Sequence, residues 1–213
     1  MSTILENLKK LPNHTILGKE WLSHDRADKQ YPYYAKIFNI FDCQSIFEVG
    51  TYLGYSLACA AMSCPNLKNV CWYDNEEYLK YSNLLAKENI EFARSLTSFD
   101  KIEANSLGQI PTQGKYDVVH IDGGHDYLSC YNDILKCINL TNNVIIGHDY
   151  DLDNSGVEMA VKAFCKAYRY NHIVLHEFNH GLWMIPKTTY FYQFFMENLS
   201  NNCGPVTLYG VPE

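Results

Sequence analysis

Several features are missing from this 213-residue chain, and each absence removes a class of function. Its eight cysteines (Cys43, Cys59, Cys64, Cys71, Cys130, Cys137, Cys165 and Cys203) include no Cys-x-x-Cys pair. Most stand in apolar runs, where a free thiol behaves as a small hydrophobe, so neither a zinc site nor a disulfide framework is expected. No stretch approaches the roughly 18 apolar residues that a spanning helix needs. The opening MSTILENLKKLPNHT has no long apolar segment of the secretory type, and the expectation is a soluble, cytoplasmic chain with no membrane partner. There is no dense Lys/Arg run, and 24 acidic residues against 17 basic ones give a formal charge of -7. That balance argues against nucleic acid as a partner. Repeats, low-complexity tracts and Pro/Gly/Ser-rich linkers are absent, so no linker divides the chain.

What is there is an ordinary globular composition, 47% hydrophobic and 19% charged, with 17 tyrosines. From residue 45 onward, short apolar runs alternate with amphipathic stretches. Strands are expected at Ser45–Val49, Asn69–Tyr73, Phe99–Ala104, Tyr116–Ile121, Asn143–Gly147, His172–His176 and Gly181–Ile185. Helices are expected at Tyr55–Ser63, Glu76–Asn89 (with Tyr78, Leu79, Leu85 and Ala86 inward), Leu128–Ile138 and Gly156–Tyr168. This alternation implies crossover units and a mostly parallel sheet covered on both faces. A turn at Asn179–Gly181 would join the last two strands as an antiparallel hairpin at an edge. Residues 1–44, helical and aromatic (Trp21, then YPYYAKIFNIF), would form an N-terminal cap. Residues 45–187 would form the main domain and 188–213 a C-terminal tail.

In an open parallel sheet, ligands bind beyond the carboxyl ends of the strands, near the switch in strand order. Here five successive strands finish in polar groups: Glu48 and Gly50, then Asp74, Glu103 and Asn105, Asp122, and His148 with Asp149. Turns are polar as well, but this many carboxylates exceeds what turns require, and a site is the better reading. The first loop, FEVGTYLGYS, offers Gly50 and Gly54, yet Tyr52 stands where a dinucleotide fold needs its second glycine to admit a pyrophosphate. Glu48 adds a negative charge that disfavours phosphate. An ammonium or sulfonium ligand therefore suits the loop better than a nicotinamide dinucleotide. Asp74 is placed either to take a ribose diol or to N-cap the helix that follows it.

Together these residues resemble the class I S-adenosylmethionine-dependent methyltransferases, over about Ser45 to Ile185. The carriers are E48-V-G50-T-Y-L-G54, Asp74, E103-A-N105-S, H120-I-D122-G-G-H125 and I146-G-H148-D149-Y150. The last two look like a small group of O-methyltransferases that act on macrolides, sugars and other small molecules. The resemblance implies a Rossmann-like three-layer α/β sandwich with a seven-stranded sheet whose last strand is antiparallel. It also implies S-adenosylmethionine bound by Glu48, Gly50, Thr51, Tyr52, Gly54 and Ser56, with Asp122 at the fourth strand. Asp74 would then meet the ribose, and Asn105 with Ser106 the adenine, although many relatives have Asp where Asn105 stands.

Methyl transfer from a sulfonium depends on positioning, and on removing a proton if the acceptor is a hydroxyl. A histidine near neutrality can take that proton, His148 first and His125 second. A divalent ion can instead lower the acceptor's pKa. Metal-dependent relatives imply Asp122, His148 and Asp149 as ligands, and a histidine among them suits Mn²⁺, Fe²⁺ or Zn²⁺ better than Mg²⁺. The segment D149-Y-D151-L-D153-N-S-G156 is no EF-hand: its sixth position is Asn154, and Ala160 replaces the closing Glu. The expected activity is O-methylation of a small hydroxylated acceptor, sugar-like or natural-product-like. The alternative is a module of the same fold that binds the cofactor without catalysis. The tail TTYFYQFFMENLS would cap the site or join two copies as a homo-oligomer.

Overall fold

The alternating pattern closes into a single twisted sheet with helices on both faces. The computed structural model describes residues 6–7, 9–12, 15–16, 19–20, 31–76, 82–153, 155–176, 180–202 and 206–209. Two short strands, β1 (Thr15–Ile16) and β2 (Lys19–Glu20), pair with each other apart from the main sheet. Helix α1 (Tyr31–Phe41) leads into β3 (Ser45–Val49), α2 (Tyr55–Ser63) and β4 (Asn69–Tyr73). A π-helical turn, Ser82–Ala86, runs into α3 (Lys87–Ser95), then β5 (Glu103–Ser106) and β6 (Tyr116–Ile121). The rest is α4 (Tyr127–Cys137), β7 (Thr141–Gly147), α5 (Val157–Tyr168), β8 (His172–Leu175), β9 (Leu182–Pro186), α6 (Thr189–Asn202) and β10 (Thr207–Tyr209).

The sheet order is β10-β8-β9-β7-β6-β3-β4-β5. From β5 to β7 every pairing is parallel, and β9 runs antiparallel to both β7 and β8. The chain moves outward from β3 to β5 and then returns to β6, so the switch in strand order falls between β3 and β6. A ligand crevice belongs there.

Several expectations need correction. The sheet has eight strands, because β10 pairs with β8 and extends the edge. The β8–β9 hairpin exists but is not at an edge, since β9 inserts between β7 and β8. The third parallel strand begins at Glu103 rather than Phe99, and the preceding helix runs on to Ser95 rather than stopping at Asn89. Tyr78, Leu79 and Asn179 lie outside the described residues, as does Trp21. The tail contains a 14-residue helix, α6, whose Phe195 and Leu199 are buried against the face that α1 covers.

One core cluster packs α1, α2, α3 and α6 on one face, with Phe38, Ile46, Leu57 and Ile90 at its centre. The other packs α4 and α5 on the opposite face around Val119, Ile134, Phe164 and Trp183. Helix α2 is buried on every side, and its small residues (YSLACAAMS) let α1 and α3 close over it. Cysteines 43, 59, 64, 71, 130, 137 and 165 are all buried, unpaired thiols.

Arg94 anchors α3 to the end of α2 with no carboxylate partner among the described residues. Its guanidinium donates to five backbone carbonyls: Asp100 at 2.5 Å, Ala61 at 2.9 Å, Cys64 at 2.8 Å, and Pro65 and Leu67 at 3.0 Å. Four of those carbonyls lie at the end of α2 and just beyond it, where no intrahelical donor remains, and the fifth, of Asp100, lies between α3 and β5. The rigid five-donor fork fits this cluster as no other side chain does. Replacing Arg94 by Met strands several buried acceptors. Arg94→Met should cost about 3–5 kcal/mol in urea denaturation, with an unchanged m-value.

At the far edge His172 is buried, stacked on Tyr209 with centroids 4.7 Å apart, and its Nε2 lies 3.2 Å from the Tyr150 hydroxyl. Burial, helped by the charge of Lys162, lowers its pKa to about 4. The stability it contributes is full above the ordinary histidine pKa and is lost as pH falls towards that value. Urea midpoints measured from pH 7 to pH 4 should therefore fall more steeply for the wild type than for His172→Gln; parallel curves would exclude His172 as the cause.

Candidate active site

The loop after β3 is held in an unusual shape. Gly50, Tyr52 and Gly54 all have left-handed backbone, with φ of 84°, 50° and 71°. At Gly50 a Cβ would lie 2.2 Å from the Asp122 carbonyl oxygen, so the turn after β6 closes directly over it. Tyr52 is the costly member, since a bulky residue rarely adopts this region.

Two carboxylates hold the loop from opposite sides. Glu48 is fully buried beneath it and accepts hydrogen bonds from the hydroxyls of Thr51 and Ser56. His120 Nδ1 lies 2.5 Å from the same carboxylate. Above the loop, Asp74 accepts the Tyr52 amide at 2.6 Å and the Asn75 amide at 3.1 Å. Burial raises the Asp74 carboxyl to about 6, although both amide bonds pull the other way.

The second half of the site is built where β6 and β7 end. Asp149 has left-handed backbone, which turns its carboxylate back towards the strand ends. His148 Nδ1 lies 3.1 Å from Asp149 and 3.7 Å from Asp122. His125 Nε2 lies 2.8 Å from Asp149 and 3.9 Å from Asp122. Asp122 and Asp149 push His125 up to about 10. For His148, burial acts downward, but the same two carboxylates outweigh it and raise it to about 10. Burial would likewise raise Asp122, yet His125 and His148 hold its carboxyl well below the usual range. In this arrangement the two histidines carry the positive charge that the carboxylates require.

Asp122, His148 and Asp149 each offer one ligand atom within 4.8 Å of the others, so the three fit a single divalent cation. Trp183 supports them from behind: its Nε1 donates to the His148 carbonyl at 3.1 Å. Its indole fits because Gly147 has no side chain, and a Cβ there would lie 2.2 Å from the ring.

Both halves open into one cleft of about 830 Å³. Its lining includes Gly50, Thr51, Tyr52, Ser56, Asp74, Asp122, His125, His148 and Asp149. Glu48 does not reach it, being consumed beneath the loop. Gly54 lies beyond the lining, beside Ala86. Neither Asn105 nor Ser106 lines the cleft, and Asn105 is exposed on the β5 edge. Asp126 is the N-cap of α4, accepting the Ser129 amide at 3.0 Å. Asp151 pairs with His176 at 2.8 Å, which ties the loop after β7 to β8. Sequence reasoning missed Tyr31, Tyr34 and His180 on the wall, and His120 beneath it. Only His120 left a trace, as a polar residue at an inward position of an otherwise apolar strand.

This sheet order, with a cofactor-sized cleft at its switch point, defines a class I methyltransferase fold. A family described as a methyltransferase domain matches residues 47–150. Among solved structures, the chain is similar to an O-methyltransferase from Bacillus cereus in complex with SAH, at 20% identity and a TM-score of 0.54. That similarity covers 87% of this chain and 90% of that one. It is also similar to an SAH-bound methyltransferase from Podospora anserina, at 16% identity and TM-score 0.52, covering 87% of each chain. A third is a methyltransferase from Geobacter sulfurreducens, at 11% identity and TM-score 0.55, covering 75% of this chain and 78% of that one. No curated protein sequence matches the chain. The family match, which spans a little under half of the chain, and the sheet order together give the chain the fold of the S-adenosylmethionine-dependent methyltransferases of class I.

Gly50 tests the loop directly. Gly50→Ala puts a Cβ against the Asp122 carbonyl in a backbone region that Ala avoids. The expected loss is about 2–4 kcal/mol in denaturation, together with loss of SAH binding.

Proposed function

We propose that the protein transfers a methyl group to a hydroxyl of a small molecule bound in the cleft. One observation carries this reading: the acid–histidine cluster ending β6 and β7 opens into the same cleft as the loop after β3. S-adenosylmethionine supplies the methyl group as an electrophile on a sulfonium. In this reading Asp74 accepts the ribose hydroxyls, while Thr51, Tyr52 and Ser56 line the adjoining wall.

A divalent cation fits Asp122, His148 and Asp149, and their mixed oxygen and nitrogen donors favour manganese or iron over magnesium. When bound, such an ion lowers the pKa of the acceptor hydroxyl. His148 is buried and turned towards both carboxylates, which suits a ligand or an orienting partner. His125 stands half exposed on the rim with its Nε2 facing the cluster; with its pKa raised to about 10 it receives the acceptor's proton only in its neutral minority form, so turnover in this reading rises with pH. Tyr31, Tyr34 and Tyr52 bring aromatic surface to the wall, which suits the faces of a sugar or another hydroxylated ring.

Calorimetric titration with SAH tests the cofactor assignment. Micromolar binding should be lost in Asp74→Ala, and no binding by the folded wild type would sink the reading. Because Asp74 ionises near pH 6, affinity should hold above that value and weaken below it by up to about tenfold per pH unit. With an acceptor in hand, His125→Ala should lower kcat by about 10²–10⁴ and leave SAH affinity within a few-fold. Unchanged turnover would remove His125 from the chemistry. Mn²⁺ binding, followed separately, should be lost in Asp122→Ala and Asp149→Ala.

A further inference from the structure

Beneath the cofactor loop a chain of polar groups crosses a face of the sheet that is otherwise apolar. Glu48 on β3 and His120 on β6 are direct register partners, and both are completely buried. His120 Nδ1 lies 2.5 Å from Glu48, and its Nε2 lies 3.1 Å from the hydroxyl of Tyr34 on α1. Tyr34 is itself buried and packs its ring against His120, with centroids 5.1 Å apart. On the other side, Glu48 collects the hydroxyls of Thr51, inside the loop, and Ser56, in the first turn of α2.

We infer that His120 and Tyr34 are positioning residues for the cofactor, acting through Glu48. The inference rests on the reading that the loop after β3 binds S-adenosylmethionine. A pair that only stabilised the sheet would need no link to the loop. Here both ends of the loop converge on the one carboxylate that His120 holds. The intervening backbone includes three left-handed residues, Gly50, Tyr52 and Gly54, so its shape depends on such pins. With Nδ1–H donating to Glu48, Nε2 is free to accept from the Tyr34 hydroxyl. One imidazole thus connects α1 to the loop. Tyr34 also lines the cleft, with its ring 6.3 Å from that of His148. The N-terminal helix, which lies outside the matched methyltransferase segment, thereby becomes part of the cofactor support.

Two asparagine-scale substitutions separate positioning from bulk structure. The amide nitrogen of Asn reproduces His Nδ1, whereas Leu fills the volume with no donor. SAH affinity, measured by calorimetry, should fall about thirtyfold or more in His120→Leu and recover in His120→Asn to the level of Tyr34→Phe, because Asn restores the donor to Glu48 but not the acceptor for Tyr34. Mn²⁺ affinity should stay unchanged in both. Tyr34→Phe keeps the ring packing and removes only the hydroxyl; it should weaken SAH three- to tenfold, and it serves if His120→Leu does not fold. If the variants melt at lower temperature yet bind SAH as the wild type does, the inference is overturned and the chain is structural. If the wild type itself binds no SAH, the cofactor reading fails first.

Discussion

The site depends on one buried carboxylate. A glutamate inside a sheet face is costly to desolvate unless donors surround it. Glu48 meets that condition with Thr51, Ser56 and His120, and in doing so it dictates the course of the chain from β3 into α2. The loop cannot relax towards an ordinary backbone without giving up one of those bonds. Asp74 fixes the opposite side of the loop through the Tyr52 amide. The cofactor wall is therefore preorganised by the protein's own hydrogen bonds, which limits what ligand binding must order.

The second wall follows a different logic. Asp122, His148 and Asp149 sit at the ends of adjacent parallel strands, where register alone brings them together. Their precision comes from behind, where the Trp183 indole on β9 holds the His148 carbonyl and fills the space left by Gly147. The antiparallel strand thus has a task beyond closing the sheet, since it backs residues that line the cleft. The loop after β7 is tied back in turn, by Asp151 to His176 and to the His180 carbonyl.

Much of this was legible in the sequence because strand ends mark the crevice. Gly50, Asp74, Asp122, His125, His148 and Asp149 declare themselves as polar residues closing apolar runs. The antiparallel β9 followed from the short turn expected before it and from the family resemblance, whereas β10 did not, because its three residues carry no periodic signal. Glu48 shows where residue type misleads. Its charge suggested a cofactor contact, but β3 alternates, and the register with His120 turns the carboxylate into the core instead. Asn105 fails for the related reason that β5 is an edge strand and its side chain faces solvent. Tyr34 was hidden because α1 reaches the loop only through His120 and Glu48, and helix packing is not written in local pattern.

The acids of this chain can be sorted by what already binds them. Glu48 is saturated from within, and Asp117 is taken by two amides and a hydroxyl of Gln44 and Ser45. Asp126 is spent on a helix N-terminus. Such acids have no capacity left for a ligand. Asp122 and Asp149 differ, because their partners are histidines, whose nitrogens are themselves ligands or bases. Asp74 differs too: its bonds are amides along one edge, and it lines the cleft with its carboxyl raised towards neutrality by burial. Incomplete satisfaction beside an open cleft, more than acidity or position at a strand end, separates Asp74, Asp122 and Asp149 from the acids that hold the fold.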